Sequence, residues 1–396
     1  MAIAVKIQGF MESSSWIRKM FETGVQLKQQ YGPENVFDFS LGNPSVPPPP
    51  EFYTALEETV KEQPPNKHGY MPNAGYPQVR EEMARLVSET QGVTLTAGDL
   101  LMTVGAGGAL NVVLKTLCNP GDEVLAMVPY FVEYRFYADN HGATLTLAQT
   151  NRDFSLNIEA IEAALTPRTA VVIINSPNNP SGAVYSAESL AALGSLLERK
   201  SNEFGRVIHL VSDEPYRSIV YDGIDVPSVF SHYTDSIVVT SFSKELSIAG
   251  ERIGYIAVHP EITDHDAAVD GMILCNRILG YVNAPALMQR VVARLRGINV
   301  DVEEYRRKRD LLCDGLEEIG FEFSRPRGTF YLMLPAPDGD DIEFARRLQE
   351  EKVLVVPGRG FGLPGYCRVS YAVPDETITG SMKGFRAAWE SYRSGS

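Results

Sequence analysis

The segment Ser241-Phe242-Ser243-Lys244 places one lysine among small hydroxyls, with Arg252 eight positions further on. A lysine amine is a weak nucleophile while protonated. Near other cations, or in a partly desolvated pocket, its pKa falls and it can form a Schiff base with an aldehyde. Lys244 is therefore the candidate anchor and general base. Ser241, Ser243 and Arg252 are donors of the kind a phosphate needs, and arginine can engage it through two parallel bonds. An aldehyde and a phosphate on one small molecule suggest pyridoxal 5′-phosphate. A serine-rich turn with a solvated lysine is the plain alternative, so other segments must decide.

Those segments share one layout, an apolar run that delivers polar groups at its carboxyl end. The run Val207-Ile208-His209-Leu210-Val211-Ser212 ends in Asp213, with Tyr216 shortly after. A buried Asp213 beside a pyridine nitrogen would keep it protonated and let the ring take up electrons. Tyr216 can bond the phenolic oxygen of the same ring, although an acid after a strand often only closes a turn. The run from Ala170 to Ile174 ends in Asn175-Ser176-Pro177-Asn178-Asn179-Pro180, where Asn179 is a second candidate for that oxygen. In Thr103-Val104-Gly105-Ala106-Gly107-Gly108, glycines precede a helical pattern through Val113, Leu114 and Leu117. Free amides of Ala106 and Gly107 at a helix start suit a phosphate, and the absence of a following Lys-Ser or Lys-Thr argues against a nucleoside triphosphate. Phe131 can stack on a flat heteroaromatic ring.

The elements that must position these groups can be read from periodicity. Strand-like runs near Leu101, Val124, Val171, Val207 and Ile237 alternate with helical stretches such as 186–200, which predicts an α/β fold with a mostly parallel sheet flanked by helices. Further helices are expected over 285–296 and 301–318, and further strands over 329–334 and 367–371, a pattern that suggests a smaller α+β domain. Trp16 and Ile17 are read as one face of a short helix, the alternative being a segment that closes over a pocket. The 396 residues suffice for two domains, and a net charge of −14 disfavours nucleic acid or an anionic membrane surface as partner. No stretch reads as a secretory leader or membrane span. Cys118, Cys275, Cys313 and Cys367 lack metal-ligand spacing and the histidines are scattered, so no metal is expected, and a reducing cytoplasmic location is.

Taken together and in this order, from about Leu41 to Tyr371, these segments closely resemble the class I and II aminotransferases of the pyridoxal-phosphate fold-type I superfamily. The resemblance implies that Lys244 carries the cofactor, Arg252 grips its phosphate, Asp213 pairs with the pyridine nitrogen, and Tyr216 and Asn179 complete the site. It assigns Arg368, in Gly365-Tyr366-Cys367-Arg368-Val369-Ser370-Tyr371, to the substrate α-carboxylate, with Gly42 touching the same carboxylate. Tyr70 resembles a tyrosine that crosses a subunit interface to the neighbouring phosphate, which implies a homodimer with shared active sites. It also implies a large cofactor domain over 47–290 and a small domain from 1–46 and 291–396. The expected activity is transfer of an amino group between an L-amino acid and a 2-oxo acid, with 2-oxoglutarate as acceptor and ping-pong kinetics. A β-lyase or decarboxylase on the same scaffold is the alternative. Many prokaryotic aspartate enzymes of this kind carry a lysine where Gly107 stands, and Arg277 lies near, but not at, the place of a distal-carboxylate arginine in others.

Overall fold

The computed structural model describes residues 3–13 and 16–393, with the side chains of 12, 13, 16–19 and 21 outside that description. Trp16 opens the helix Trp16–Tyr31, but its side chain and that of Ile17 lie outside the described residues. The chain divides into two compact units: one of Val46–Asn178 and Ala183–Val302, the other of Met1–Ser45, Asn179–Gly182 and Glu303–Ser396. The larger unit thus continues past 290 to Val302, and the short segment around Asn179 belongs to the smaller one.

The larger unit is built on seven strands in the order Leu100–Thr103, Gly254–Val258, Ser236–Ser241, His209–Asp213, Thr169–Asn175, Glu123–Val128, Thr144–Gln149. All neighbours are parallel except at Gly254–Val258, which runs antiparallel to both of its partners. The interior strands read as unbroken apolar runs because both faces of the sheet are covered. Successive residues go to opposite cores: Val171 and Ile173 join the cluster of Leu110, Val113 and Tyr134, whereas Val172 and Ile174 join that of Met83, Leu193 and Phe242. The edge strand Thr144–Gln149 keeps several residues exposed, and with no continuous apolar run it lacks the pattern that reveals the others.

Helix limits follow local signals. Ser186 caps Ala187–Phe204 by accepting from the Ser189 amide, and Gly205, at φ 65°, ends it in the left-handed conformation that glycine adopts without strain. The pattern expected over 285–296 forms a helix only over Ala286–Val292. Beyond it Leu295 and Ile298 pack on the core from an irregular segment, so apolar spacing alone overstated the helix.

In the smaller unit, Tyr331–Pro335, Tyr366–Ser370 and Val356–Pro357 form a three-stranded antiparallel sheet, and Phe37–Asp38 pairs in parallel with Val353–Leu354. The helices Val302–Ile319, Asp341–Glu350 and Asp375–Arg393 accompany them. Phe321 meets Trp389, Phe344 and Phe385 with ring centroids 4.5, 5.9 and 6.4 Å apart, an aromatic core of the size that dominates packing energy in a small unit.

Candidate active site

Asp213 ends the strand His209–Asp213, and side-chain alternation turns it to the face that holds Tyr134. The Tyr134 hydroxyl donates to Asp213 Oδ2 at 2.6 Å, and the Asn175 amide donates to the Asp213 carbonyl at 2.7 Å. Asp213 Oδ1 is buried with no hydrogen-bond partner. Burial pushes this carboxyl up to about 7, the bond from Tyr134 opposes that shift, and the charge of Glu214 adds to it. A buried, half-satisfied carboxyl is costly unless a donor or a positive charge completes it. A protonated pyridine nitrogen is such a partner.

The turn after Ser236–Ser241 holds Lys244 between two buried serines, Ser241 and Ser243, and a left-handed Ser247 at φ 55°. The Ser247 amide donates to the Lys244 carbonyl at 3.3 Å. Lys244 Nζ lies 5.8 Å from the ring centroid of the buried Tyr216, so these two predicted residues are neighbours.

A second group faces the start of the helix Gly105–Leu117, which has no side-chain cap at its amino end. Its first amides, those of Ala106 and Gly107 included, gain nothing from such a cap, and a helix amino terminus in that state favours an anion. A Cβ built on Gly105, which stands at φ 67°, would come within 2.8 Å of the Arg252 guanidinium. Arg252 is thus held against the helix start, and its Nη1 donates to the Ala249 carbonyl at 3.0 Å. The orphaned Asp213 oxygen, the uncapped helix start beside Arg252 and Lys244 beside Tyr216 fit the ring nitrogen, phosphate and aldehyde of pyridoxal 5′-phosphate.

Phe131 packs edge-on against Tyr134 with centroids 5.6 Å apart, which connects it to the Asp213 group. Sequence patterning alone missed Tyr134 and Tyr137. Both lie on the helix Glu133–Asn140, three residues apart and so on one side. That spacing after Phe131 was the available signal. The Tyr137 hydroxyl stands 2.8 Å from where a Gly107 Cβ would be, so a lysine at 107 would require Tyr137 to move. Tyr70 is 92% exposed, and Arg277 is exposed in the last turn of the helix His265–Ile278.

The smaller unit gathers Gly42, Asn179 and Arg368. Arg368 projects from the strand Tyr366–Ser370 and is buried, with its guanidinium carbon 4.7 Å from the ring centroids of both Tyr331 and Phe361. Its Nη2 donates to the Ser40 carbonyl at 2.8 Å, and its Nη1 approaches Asn179 Oδ1 at 3.5 Å. Two aromatic faces and two acceptors fix the plane of the fork, which is what a bidentate carboxylate grip requires. A Cβ on Gly42 would fall 1.6 Å from the Tyr331 hydroxyl. Sequence reasoning missed Tyr331, whose apolar run reads as core, and Phe361, which stands among glycines in a turn with no periodic pattern.

Residues 34–383 match the family model for class I and II aminotransferases. The chain is 32% identical over 349 residues to a probable aspartate aminotransferase of Methanocaldococcus jannaschii, covering 86% of this chain and 90% of that protein. It is 32% identical over 354 residues to the aspartate/prephenate aminotransferase of Thermus thermophilus, covering 87% and 89%. Among solved structures, an amino transferase of Eubacterium rectale superposes with a TM-score of 0.96 at 39% identity over 99% of both chains. The Thermus thermophilus aspartate aminotransferase with maleate gives 0.85 at 28% identity, over 98% of this chain and 100% of that one. This chain belongs to the class I and II aminotransferases. It is a pyridoxal-phosphate-dependent enzyme of fold type I, with amino acids and 2-oxo acids as its substrates. No helix among the described residues is long and apolar enough to cross a membrane, and no group of three or more His, Cys, Asp or Glu residues there could hold a metal ion.

Proposed function

We propose that the enzyme moves the amino group of a common L-amino acid to 2-oxoglutarate by ping-pong chemistry. The observation that supports the cofactor chemistry of this reading is Asp213 Oδ1, a buried carboxylate oxygen with no partner of its own. Pyridoxal 5′-phosphate, when bound, supplies an electron sink for the charge that develops at the substrate α-carbon. Lys244 is its anchor, and the Lys244 amine, once freed, removes the α-proton and returns it during turnover. Asp213 holds the ring nitrogen protonated, and Tyr134 holds Asp213. Ser241, Ser243, Arg252 and the amides of Ala106 and Gly107 bind the phosphate. Phe131 covers the ring, while Tyr216 and Asn179 serve its phenolic oxygen.

Arg368 takes the substrate α-carboxylate, assisted by Gly42, and so fixes which bond at the α-carbon is aligned for cleavage. The exposure of Tyr70 supports a homodimer in which this tyrosine reaches the phosphate of the neighbouring subunit. Four free cysteines support a reducing, cytoplasmic setting. Borohydride reduction of the holoenzyme followed by peptide mass mapping tests the anchor. The cofactor mass is expected on Lys244, and its recovery on any other lysine would overturn the assignment.

A further inference from the structure

The residues that follow the two central catalytic candidates point away from them. Val211 belongs to the core of Tyr134 and Leu210 to the opposite one, so strand alternation sends Asp213 to the first face and Glu214 to the second. On that second face the larger unit contains a cavity of about 580 Å³, lined by Glu214 and by Glu245, the residue after Lys244. Its apolar wall includes Met83, Val87, Ile224 and Leu295. The Glu245 carbonyl accepts from the Val300 amide at 2.7 Å, which fastens the nearby Gly297–Asn299 wall to the Lys244 turn.

The polar groups of this cavity are unequally satisfied. Glu214 accepts from Ser212 Oγ at 2.8 Å, Gln91 Nε2 at 3.0 Å and Arg217 Nη1 at 2.9 Å. Arg217 is committed further, to the carbonyls of Thr90 and Val226 at 2.8 and 2.7 Å. Arg296 pairs with Glu89 at 2.9 Å. The Glu245 carboxyl has no hydrogen bond or ion pair among the described residues, and burial alone pushes it up to about 7. Ser218 is also among the lining residues, and its Oγ is buried without a partner. Tyr255 contributes a third polar group, its phenol raised by burial and by the charge of Glu245. A concave space with an apolar wall and a few convergent polar groups is the usual form of a small-molecule site. Both cations beside it are already spent, so the charge left to neutralise is negative.

We propose that this cavity binds a small organic cation, an apolar body bearing an amidinium, guanidinium or ammonium group whose N–H donors meet the Glu245 carboxylate. The site is separate from the cofactor and substrate residues and does not depend on the substrate assignment. It shares backbone with both Asp213 and Lys244, so its occupant is positioned to act on the catalytic set from behind.

Benzamidine is a suitable probe, because an amidinium does not condense with the cofactor aldehyde as a primary amine does. Calorimetric titration of the holoenzyme at pH 8 is expected to show one site per chain. Glu245→Gln should weaken binding by about tenfold or more, the loss expected for a charge-assisted hydrogen bond. Ile224→Trp, which fills the space while leaving Glu245 in place, should abolish it and decides the matter if Glu245→Gln fails to fold. Affinity should fall as pH drops from 8 to 6 while Glu245 protonates. Of the other groups lining the cavity, Glu214 and Glu89 are paired with Arg217 and Arg296, and Asp225 is exposed. Tyr255, raised further, remains a neutral phenol. No binding up to about 10 mM, the weak end of small-ligand affinity, or wild-type affinity in the folded variants, would overturn the proposal.

Discussion

The Tyr134 hydroxyl donates to Asp213 Oδ2 at 2.6 Å, while Oδ1 of the same carboxylate is buried without a partner. One oxygen is tied to the protein and the other is left for a ligand. The bond therefore orients Asp213 toward the cofactor as well as satisfying a buried phenol.

Removing that bond should loosen the cofactor. Tyr134→Phe deletes the donor that holds the Asp213 pKa down, so the carboxyl protonates more readily and loses its grip on the ring nitrogen. Cofactor affinity, followed by absorbance titration of the apoenzyme, is expected to fall by about tenfold, as for loss of a hydrogen bond to a charged group. Unchanged affinity would mean that Asp213 is oriented by other contacts.

Asp213→Asn keeps the shape but not the charge. The ring nitrogen then lacks its buried anion, and kcat is expected to drop by about 10²–10³, the scale of losing one preorganised electrostatic contact. Steady-state kinetics with saturating cofactor separates this loss from weakened cofactor binding.

Changes at the carboxylate grip should have the opposite signature. Arg368→Lys loses the planar fork and its stacking between Tyr331 and Phe361, so KM for the amino donor should rise by about tenfold to a hundredfold. Gly42→Ala should also raise KM, because its Cβ would fall 1.6 Å from the Tyr331 hydroxyl and one of them must move. The visible spectrum of the bound cofactor should stay as in the parent for both variants. A changed spectrum would place these residues in the cofactor site instead.

Glu245 gives a pH-dependent stability prediction. Its carboxyl is raised from the ordinary 4.5 to about 7 in the folded protein, so between those values the folded chain holds a proton that the unfolded chain has released. Folding stability therefore declines as pH rises through that window. Glu245→Gln removes the penalty and should be more stable than the parent at pH 8, by up to about 3 kcal/mol, with the advantage shrinking toward pH 5. Thermal melts across this range check the sign, and an advantage independent of pH would contradict it.

The parts of the site that are legible in the sequence are those where a residue type is rare in its setting. Lys244 between serines, Asp213 at the end of an apolar run and the glycines before Val113 stand out because a core strand or helix has no need of them. The interior strands were legible for a related reason, since Thr169–Asn175 is buried throughout and reads as one apolar run. Tyr134, Tyr137 and Tyr331 were hidden, because an aromatic that supports a charged residue has the same local pattern as one that fills a core, and Phe361 was hidden in a glycine-rich turn without periodicity. The edge strand Thr144–Gln149 was hidden by its mixed exposure. Arg368 was recognisable only through family resemblance: its two aromatic neighbours come from other segments, and no local spacing announces them.

Amino-group transfer through the bound cofactor can be followed in the visible absorbance of the purified protein, recorded before and after an L-amino acid and again after 2-oxoglutarate. L-aspartate is the first donor to try. The expected result is a yellow protein that loses its colour with a donor and regains it with the oxo acid, and a Lys244→Ala variant that does neither. A colour that no common L-amino acid bleaches, or ammonia and pyruvate released without any acceptor, would contradict it.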